Sequence, residues 1–174
     1  NDNPELLAIE DVVFNEDGEG TRSISVSDPD GDDITLTVSS GTNIDATIND
    51  QVITVTADQD FNGTEALTVT AEDDNGGRNT TTLNVIVTPI NDAPEVFPMT
   101  ITSKEDETET IELTATDIDS TSISYEIVNN ASNGTLIIDG STAIYTPNNN
   151  VNGTGTFTYR ASDGMLESNI AEAI

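Results

Sequence analysis

The chain has no cysteine, no histidine and no tryptophan. Missing thiols exclude disulfides and thiolate metal sites, and missing imidazoles remove the usual general base and the commonest nitrogen ligand. Basic residues are scarce: Arg22, Arg78, Lys104 and Arg160 face 33 Asp and Glu among 174 residues, a formal net charge of −29. Nucleic acid and anionic membrane surfaces require clustered Lys and Arg, so neither is an expected partner. No apolar run reaches the ~18 residues of a bilayer span, and direct membrane insertion is not expected. The first residues lack the basic and apolar regions of a signal peptide, and the chain stops at Asn-Ile-Ala-Glu-Ala-Ile without an exit linker, so it reads as a segment of something longer.

What the chain does have is an internal repeat, the feature to seek first. Shifted by 90 residues, "TADQDFNGTEALTVTAED" (56–73) aligns with "TPNNNVNGTGTFTYRASD" (146–163), and "NDNPE" (1–5) aligns with the end of "TPINDAPE" (88–95). Upstream, Glu16-Asp17 matches Glu105-Asp106 and Asp28 matches Asp117 at a shift of 89, which places a one-residue slip in a loop. Two modules are expected: residues 1–90 with a leading linker at 1–5, and residues 91–174 with a linker at 91–95 and a truncated last strand. The prolines in these linkers limit their conformations and hold neighbouring modules close.

Within each module, segments such as "TRSISVSD" (21–28), "DITLTVSS" (33–40), "QVITVTAD" (51–58), "ALTVTAED" (66–73) and "TTLNVIVT" (81–88) alternate apolar and polar residues and are rich in Val, Ile and Thr. That is the period of half-buried strands. Asp-Pro-Asp-Gly (28–31), Asn-Gly (62, 63), Asn-Gly-Gly (75–77) and Asp-Gly (139, 140) punctuate them as turns. The predicted fold is all-β: two tandem Greek-key sandwiches of immunoglobulin type, about seven short strands each, without the disulfide. Apolar residues are only 34% of the chain, so each small core needs an added stabiliser.

The acids recur at matched strand ends. Glu16 precedes the second strand, Asp28 and Asp30 end it, Asp58 and Asp60 precede the Asn-Gly turn, Asp73 ends "TVTAED", and Asn91-Asp92 lies in the linker. Two carboxylates at i and i+2 of an extended chain project the same way, ~6.6 Å apart, and converge on one ion or bridge two. With only oxygen donors on offer the implied ion is hard. Ca²⁺, which takes ~6 to 8 oxygens in flexible geometry, fits better than the stricter Mg²⁺. Without a cation, charges ~4 Å apart repel by ~4 kcal/mol at an effective dielectric constant near 20. Two plainer readings stay open: scattered acids keep a halophilic or secreted protein soluble, and Asp28-Pro-Asp-Gly-Asp-Asp33 makes a turn without metal. The sequons at Asn62, Asn79, Asn130, Asn133 and Asn152 are read as turns.

"TPINDAPE", "ATDIDS" (115–120) and "ASDG" (161–164) resemble the cadherin-like repeat, and "FNGTEALTVTAEDDNGG" and "VNGTGTFTYRASDG" resemble its version in bacterial surface adhesins. The resemblance covers nearly the whole chain. It implies two cadherin-like sandwiches joined by a short calcium-binding linker. Calcium at their junction would draw on Glu16, on Asp58 and Asp60 for the D-R-E motif, on Asn91 and Asp92 for the linker, on Asp117 and Asp119 for D-x-D, and on Asp163 for A-x-D. Asn1, Asp2, Asn3, Asp28, Asp30 and Asp73 would serve a preceding junction. Pro89 and Ala93 replace two linker residues of the family pattern, which implies one or two ions rather than three, and Asn148-Asn149-Asn150 replaces the second D-R-E. The function this implies is a calcium-rigidified, extracellular or cell-surface repeat pair of a larger bacterial adhesin, acting as spacer or adhesion module. Its partners would be neighbouring repeats of the same chain, with homophilic or carbohydrate contacts. The alternative is a carbohydrate-binding module of a secreted multidomain protein. No motif singles out a catalytic pair, so an enzyme is not expected.

Overall fold

Alternating Val, Ile and Thr yield strands alone: every regular element of the computed structural model, which describes residues 1–174, is a β-strand. No helix is long and apolar enough to cross a membrane. The chain divides into two units, Asn1–Ile90 and Asn91–Ile174.

Unit 1 holds β1 (Glu5–Leu6), β2 (Val12–Asn15), β3 (Glu19–Ser23), β4 (Val26–Ser27), β5 (Ile34–Val38), β6 (Ile44–Asn49), β7 (Val52–Ala57), β8 (Gly63–Asp73) and β9 (Arg78–Thr88). One sheet has the order β2-β9-β8-β5, another β3-β7-β6, and β1 pairs with β4 alone. The leading segment therefore serves both layers, antiparallel to β4 through β1 and parallel to β9 through β2. Alternation decides the inner faces: Ile53 and Val55 of β7 and Leu67 and Val69 of β8 are buried, while Thr56 and Thr68 between or beside them face water. "TRSISVSD" departs from the single strand expected. Ile24 N–H donates to Gln51 C=O (2.7 Å) and Leu7 N–H to Ser25 C=O (3.2 Å), so the segment passes from β7 to β1 and is split into β3 and β4.

Unit 2 holds β10 (Glu95–Val96), β11 (Glu109–Glu112), β12 (Ala115–Thr116), β13 (Ser124–Asn129), β14 (Gly134–Asp139), β15 (Thr142–Pro147), β16 (Phe157–Ser162) and β17 (Ala171–Ala173). Its sheets are β11-β15-β14, β13-β16-β17 and the pair β10-β12. The two cores solve one packing problem differently. Leu67 faces Leu83 across β8 and β9, whereas the matching pair in unit 2 is Phe157 and Ala173. A larger residue opposite a smaller one redistributes the bulk across the pair, a kind of repacking that cores tolerate. Tyr159, fully buried, donates its hydroxyl to Phe97 C=O (2.7 Å), so no polar atom is stranded there.

Glu65 of β8 clamps the loop before β6. Its carboxylate accepts from Thr42 N–H (2.8 Å), Asn43 N–H (3.0 Å) and Asn43 Nδ2 (2.8 Å). Burial opposes its ionisation, but these bonds outweigh burial and hold the carboxyl below its ordinary range. A lowered folded-state pKa contributes stability that is present above the unfolded value, ~4.3, and lost as pH falls through the folded one. In urea titrations, Glu65→Gln is therefore expected to be less stable than the parent at pH 6 to 7, the gap closing below about pH 4. Leu67→Ala is expected to cost about 2 to 5 kcal/mol in the same assay at neutral pH.

Candidate metal centre

β8 runs eleven residues from Gly63 to Asp73 and separates two acidic ends of unit 1 by ~35 Å at ~3.3 Å per residue. At the head, the linker and two loops meet through hydrogen bonds. Asn1 Nδ2 donates to Asp73 Oδ2 (3.1 Å), Asp2 N–H to Asp30 Oδ2 (2.7 Å), and Asp30 N–H to Asp28 Oδ1 (2.8 Å). Asp73, 5% exposed, also accepts from Asn75 N–H (2.8 Å) and Gly77 N–H (2.8 Å) through Oδ1. Burial opposes ionisation of Asp73, but bonds from the Gly77 amide, the Asn1 side chain and the Asn75 and Gly76 amides outweigh it, so the carboxyl sits below its ordinary range.

The head of unit 2 repeats this construction. Asn91 Nδ2 donates to Asp163 Oδ2 (2.6 Å), Asp92 N–H to Asp119 Oδ2 (2.7 Å), and Asp119 N–H to Asp117 Oδ1 (2.9 Å). Asp163 is held below its ordinary range by the Leu166 amide, the Asn91 side chain and the Met165 amide. Asp73 and Asp163 thus stay anionic further into acid than an ordinary aspartate.

One atom in each head has no protein partner. Asp28 Oδ2 and Asp117 Oδ2 are both buried and unpaired. Leaving a charged oxygen buried and unpaired is costly, and the same cost appears at the matched position of both units. In unit 1, carboxylate oxygens of Asp28, Asp30 and Asp32 lie within 4.8 Å of one another. An oxygen-only set with buried, unsatisfied carboxylate oxygens fits a hard divalent cation of the calcium kind.

Sequence reasoning is corrected here in one respect. Asp28 and Asp30 converge through a turn closed by Asp30 N–H and Asp32 N–H (3.2 Å) on Asp28 Oδ1, rather than by projecting from an extended strand. The turn also brings in Asp32, which has no acidic match in unit 2, where Thr121 stands, so the repeat gave no signal for it. Asn3 joins the head: a Cβ on Gly77 would lie 2.2 Å from Asp73 Oδ2, 2.9 Å from Asn3 Oδ1 and 3.0 Å from Asn1 Nδ2.

At the tail of unit 1, Glu16 is buried and accepts from Asn62 Nδ2 (3.3 Å) and from Ile90 N–H. Beside it, Asp60 N–H donates to Asp17 Oδ1 (3.4 Å), with both residues in the left-handed region (φ 57° and 59°) that Asp tolerates better than most. Asn150 and Asp106 repeat the contact in unit 2 (2.8 Å), with φ of 55° and 59°. Asp17 was legible through its match with Asp106. Asp58 lies apart from this clasp: its side chain is exposed and its main chain closes the turn, N–H to Asn43 C=O (2.8 Å) and C=O from Phe61 N–H (3.2 Å).

A sequence profile described as bacterial Ig domain matches the chain twice, at residues 1–86 and 91–173. The chain belongs to the bacterial Ig domain family. Solved structures similar to this bacterial Ig pair include cadherin ectodomains. Human protocadherin-24 EC1-2 is 18% identical with a TM-score of 0.56, over 99% of this chain and 97% of that one. Human desmocollin-1 gives 19% and 0.57, over 99% of this chain and 36% of that one. Drosophila N-cadherin EC1-4 gives 18% and 0.58, over 98% and 49%. At such identities the likeness is one of fold. No curated protein sequence matches the bacterial Ig pair.

The packing around Gly77 yields a direct check. Gly77→Ala is expected to destabilise unit 1 by about 1 to 3 kcal/mol while the unit 2 transition stays in place, read by calorimetry of the whole chain.

Proposed function

We propose that this bacterial Ig pair is a calcium-stabilised spacer within an extracellular bacterial surface adhesin. The observation that carries the reading is the matched buried, unpaired Oδ2 of Asp28 and Asp117, each set in the same amide-clamped head. In unit 1 the ion's donors are Asp28, Asp30, Asp32 and Asp73, with the Asn1 and Asn3 carbonyls and Asp2 beside them. In unit 2 they are Asp117, Asp119 and Asp163, with Asn91 and Asp92. Glu16, Asp17 and Asp60 at the tail of unit 1 are a second, sparser set, with Asp58 standing apart from it. The ion offsets repulsion among carboxylates that the amides have already gathered, and so adds the stability that two small cores need. Unit 2 lacks a counterpart of Asp32, and with fewer charges its head binds more weakly.

Millimolar calcium outside cells suffices for a dissociation constant of about 10⁻⁴ to 10⁻³ M, the range of extracellular modules. The surface favours a spacer over a sugar-binding module. Of the aromatics, only Phe97 is exposed, while Phe14, Phe61, Tyr125 and Tyr145 are half-buried and Phe157 and Tyr159 buried. One exposed ring makes no stacking platform.

The test is thermal unfolding in EDTA and in calcium, with Asp28→Asn and Asp117→Asn, which keep shape and remove charge. At a hundredfold excess over the dissociation constant, calcium is expected to add ~2.7 kcal/mol per site. Each variant should lose the gain of its own unit alone. Melting that is indifferent to EDTA would sink the reading.

A further inference from the structure

β5 and β6 are free edges of the two main sheets of unit 1, β5 ending the order β2-β9-β8-β5 and β6 the order β3-β7-β6. Between them lies a cleft of about 430 Å³, lined by Val26, Ile34, Leu36 and Ile48 and by the acids Asp32, Asp33 and Asp50. One end of this side of the sandwich is sealed and the other is open. Where Glu65 clamps Thr42 and Asn43, Ile44 of β6 is 1% exposed. Four residues on, Ile48 faces the same way but is only half-buried, as are Ile34 and Leu36 on β5. Leu36 pairs with Ala71, which is fully buried, so the missing cover belongs to the edge and not to the sheet behind it.

The mouth of the cleft carries charge on both walls. Asp33 leads into β5 and Asp50 follows β6; both are exposed, and no basic group of the chain pairs with either. Asp32 beside them accepts from Asn75 Nδ2 (2.7 Å). Asp28, Asp30 and Asp32 are gathered closely enough to share an ion, but Asp33 and Asp50 belong to no such set. Their spacing across an aliphatic floor suits a wide organic cation better than a bare metal ion. The fold does not require these acids: at the matched positions of unit 2 stand Thr121, Ser122 and Gly140.

We propose that this cleft docks an arginine side chain presented by a partner protein, with its methylenes on Val26, Leu36 and Ile48 and its guanidinium between Asp33 and Asp50. Charge complementarity selects a basic partner, since a chain of net charge −29 supplies no cation at this mouth. The apolar floor selects a cation with an aliphatic stem, because long basic side chains bury their stems while the charged head stays at the wet rim. A planar guanidinium with five N–H donors bridges carboxylates on two walls, whereas an ammonium is a compact, strongly hydrated point charge. Only Asp32 is shared with the head of unit 1, and the docked cation does not depend on it.

The test is residue-resolved NMR of the whole chain at about 0.15 M salt, which screens loose association with the acidic surface. Capped Gly-Arg-Gly is titrated in EDTA and in calcium. Its citrulline counterpart keeps the shape without the charge, and methylguanidinium keeps the charge without the stem. The arginine peptide is expected to shift the methyls of Val26, Leu36 and Ile48 with half-saturation at roughly 1 to 10 mM, while Ala115 and Ile138, at the matched positions of unit 2, stay in place. Asp33→Asn and Asp50→Asn, both at exposed positions, should each weaken binding by about two- to fivefold. The other two ligands should leave these methyls unmoved. Equal shifts from citrulline or methylguanidinium, or shifts spread alike over both units, would overturn the proposal. So would a response present in EDTA and lost in calcium, which would mean that the head of unit 1 holds the cation instead.

Discussion

Everything at the heads of the two units depends on main-chain N–H groups that hold aspartates in place. A carboxylate that accepts from two or three amides stays ionised even when water is largely excluded, because the hydrogen bonds replace hydration. Asp73 and Asp163 are kept this way, and Asp28 and Asp117 are oriented this way through one oxygen each. The same geometry leaves the second oxygen of Asp28 and of Asp117 buried without a partner. Negative charges are thereby fixed in position with part of their hydrogen-bonding capacity unused.

The linkers take part in this geometry through their backbones as much as through their side chains. Asp2 and Asp92 donate main-chain N–H groups to Asp30 and Asp119, and Asn1 and Asn91 reach Asp73 and Asp163 with side-chain amides. The Asn-Asp pair thus ties the start of each unit to two loops that lie far apart in sequence. Its recurrence 90 residues apart has a structural reason whether or not metal is bound.

The cores show how the repeat tolerates change. Leu67 with Leu83 becomes Phe157 with Ala173, and the strand register survives while the bulk is shifted from one strand to the other. Polar atoms follow a stricter rule. The hydroxyl introduced with Tyr159 is satisfied by Phe97 C=O, and the buried Glu16 by Asn62 and the Ile90 amide.

By itself the sequence determined the all-β class, the two units and most of the residues gathered at the heads. Period-2 alternation is a local property that sets the strand faces, and a repeat marks the residues that both copies retain. It did not reveal the split of "TRSISVSD" into β3 and β4, since which neighbour Ile24 and Ser25 bond to depends on Gln51 and Leu7, residues brought close only by folding. Nor did it reveal Asp32, absent from the second copy, or the contrast between the buried Glu16 and the exposed Asp58. Tertiary structure alone decided which acids converge and which of their oxygens go without a partner, because burial and hydrogen bonding are set by segments tens of residues apart, while residue type records only that an acid is present.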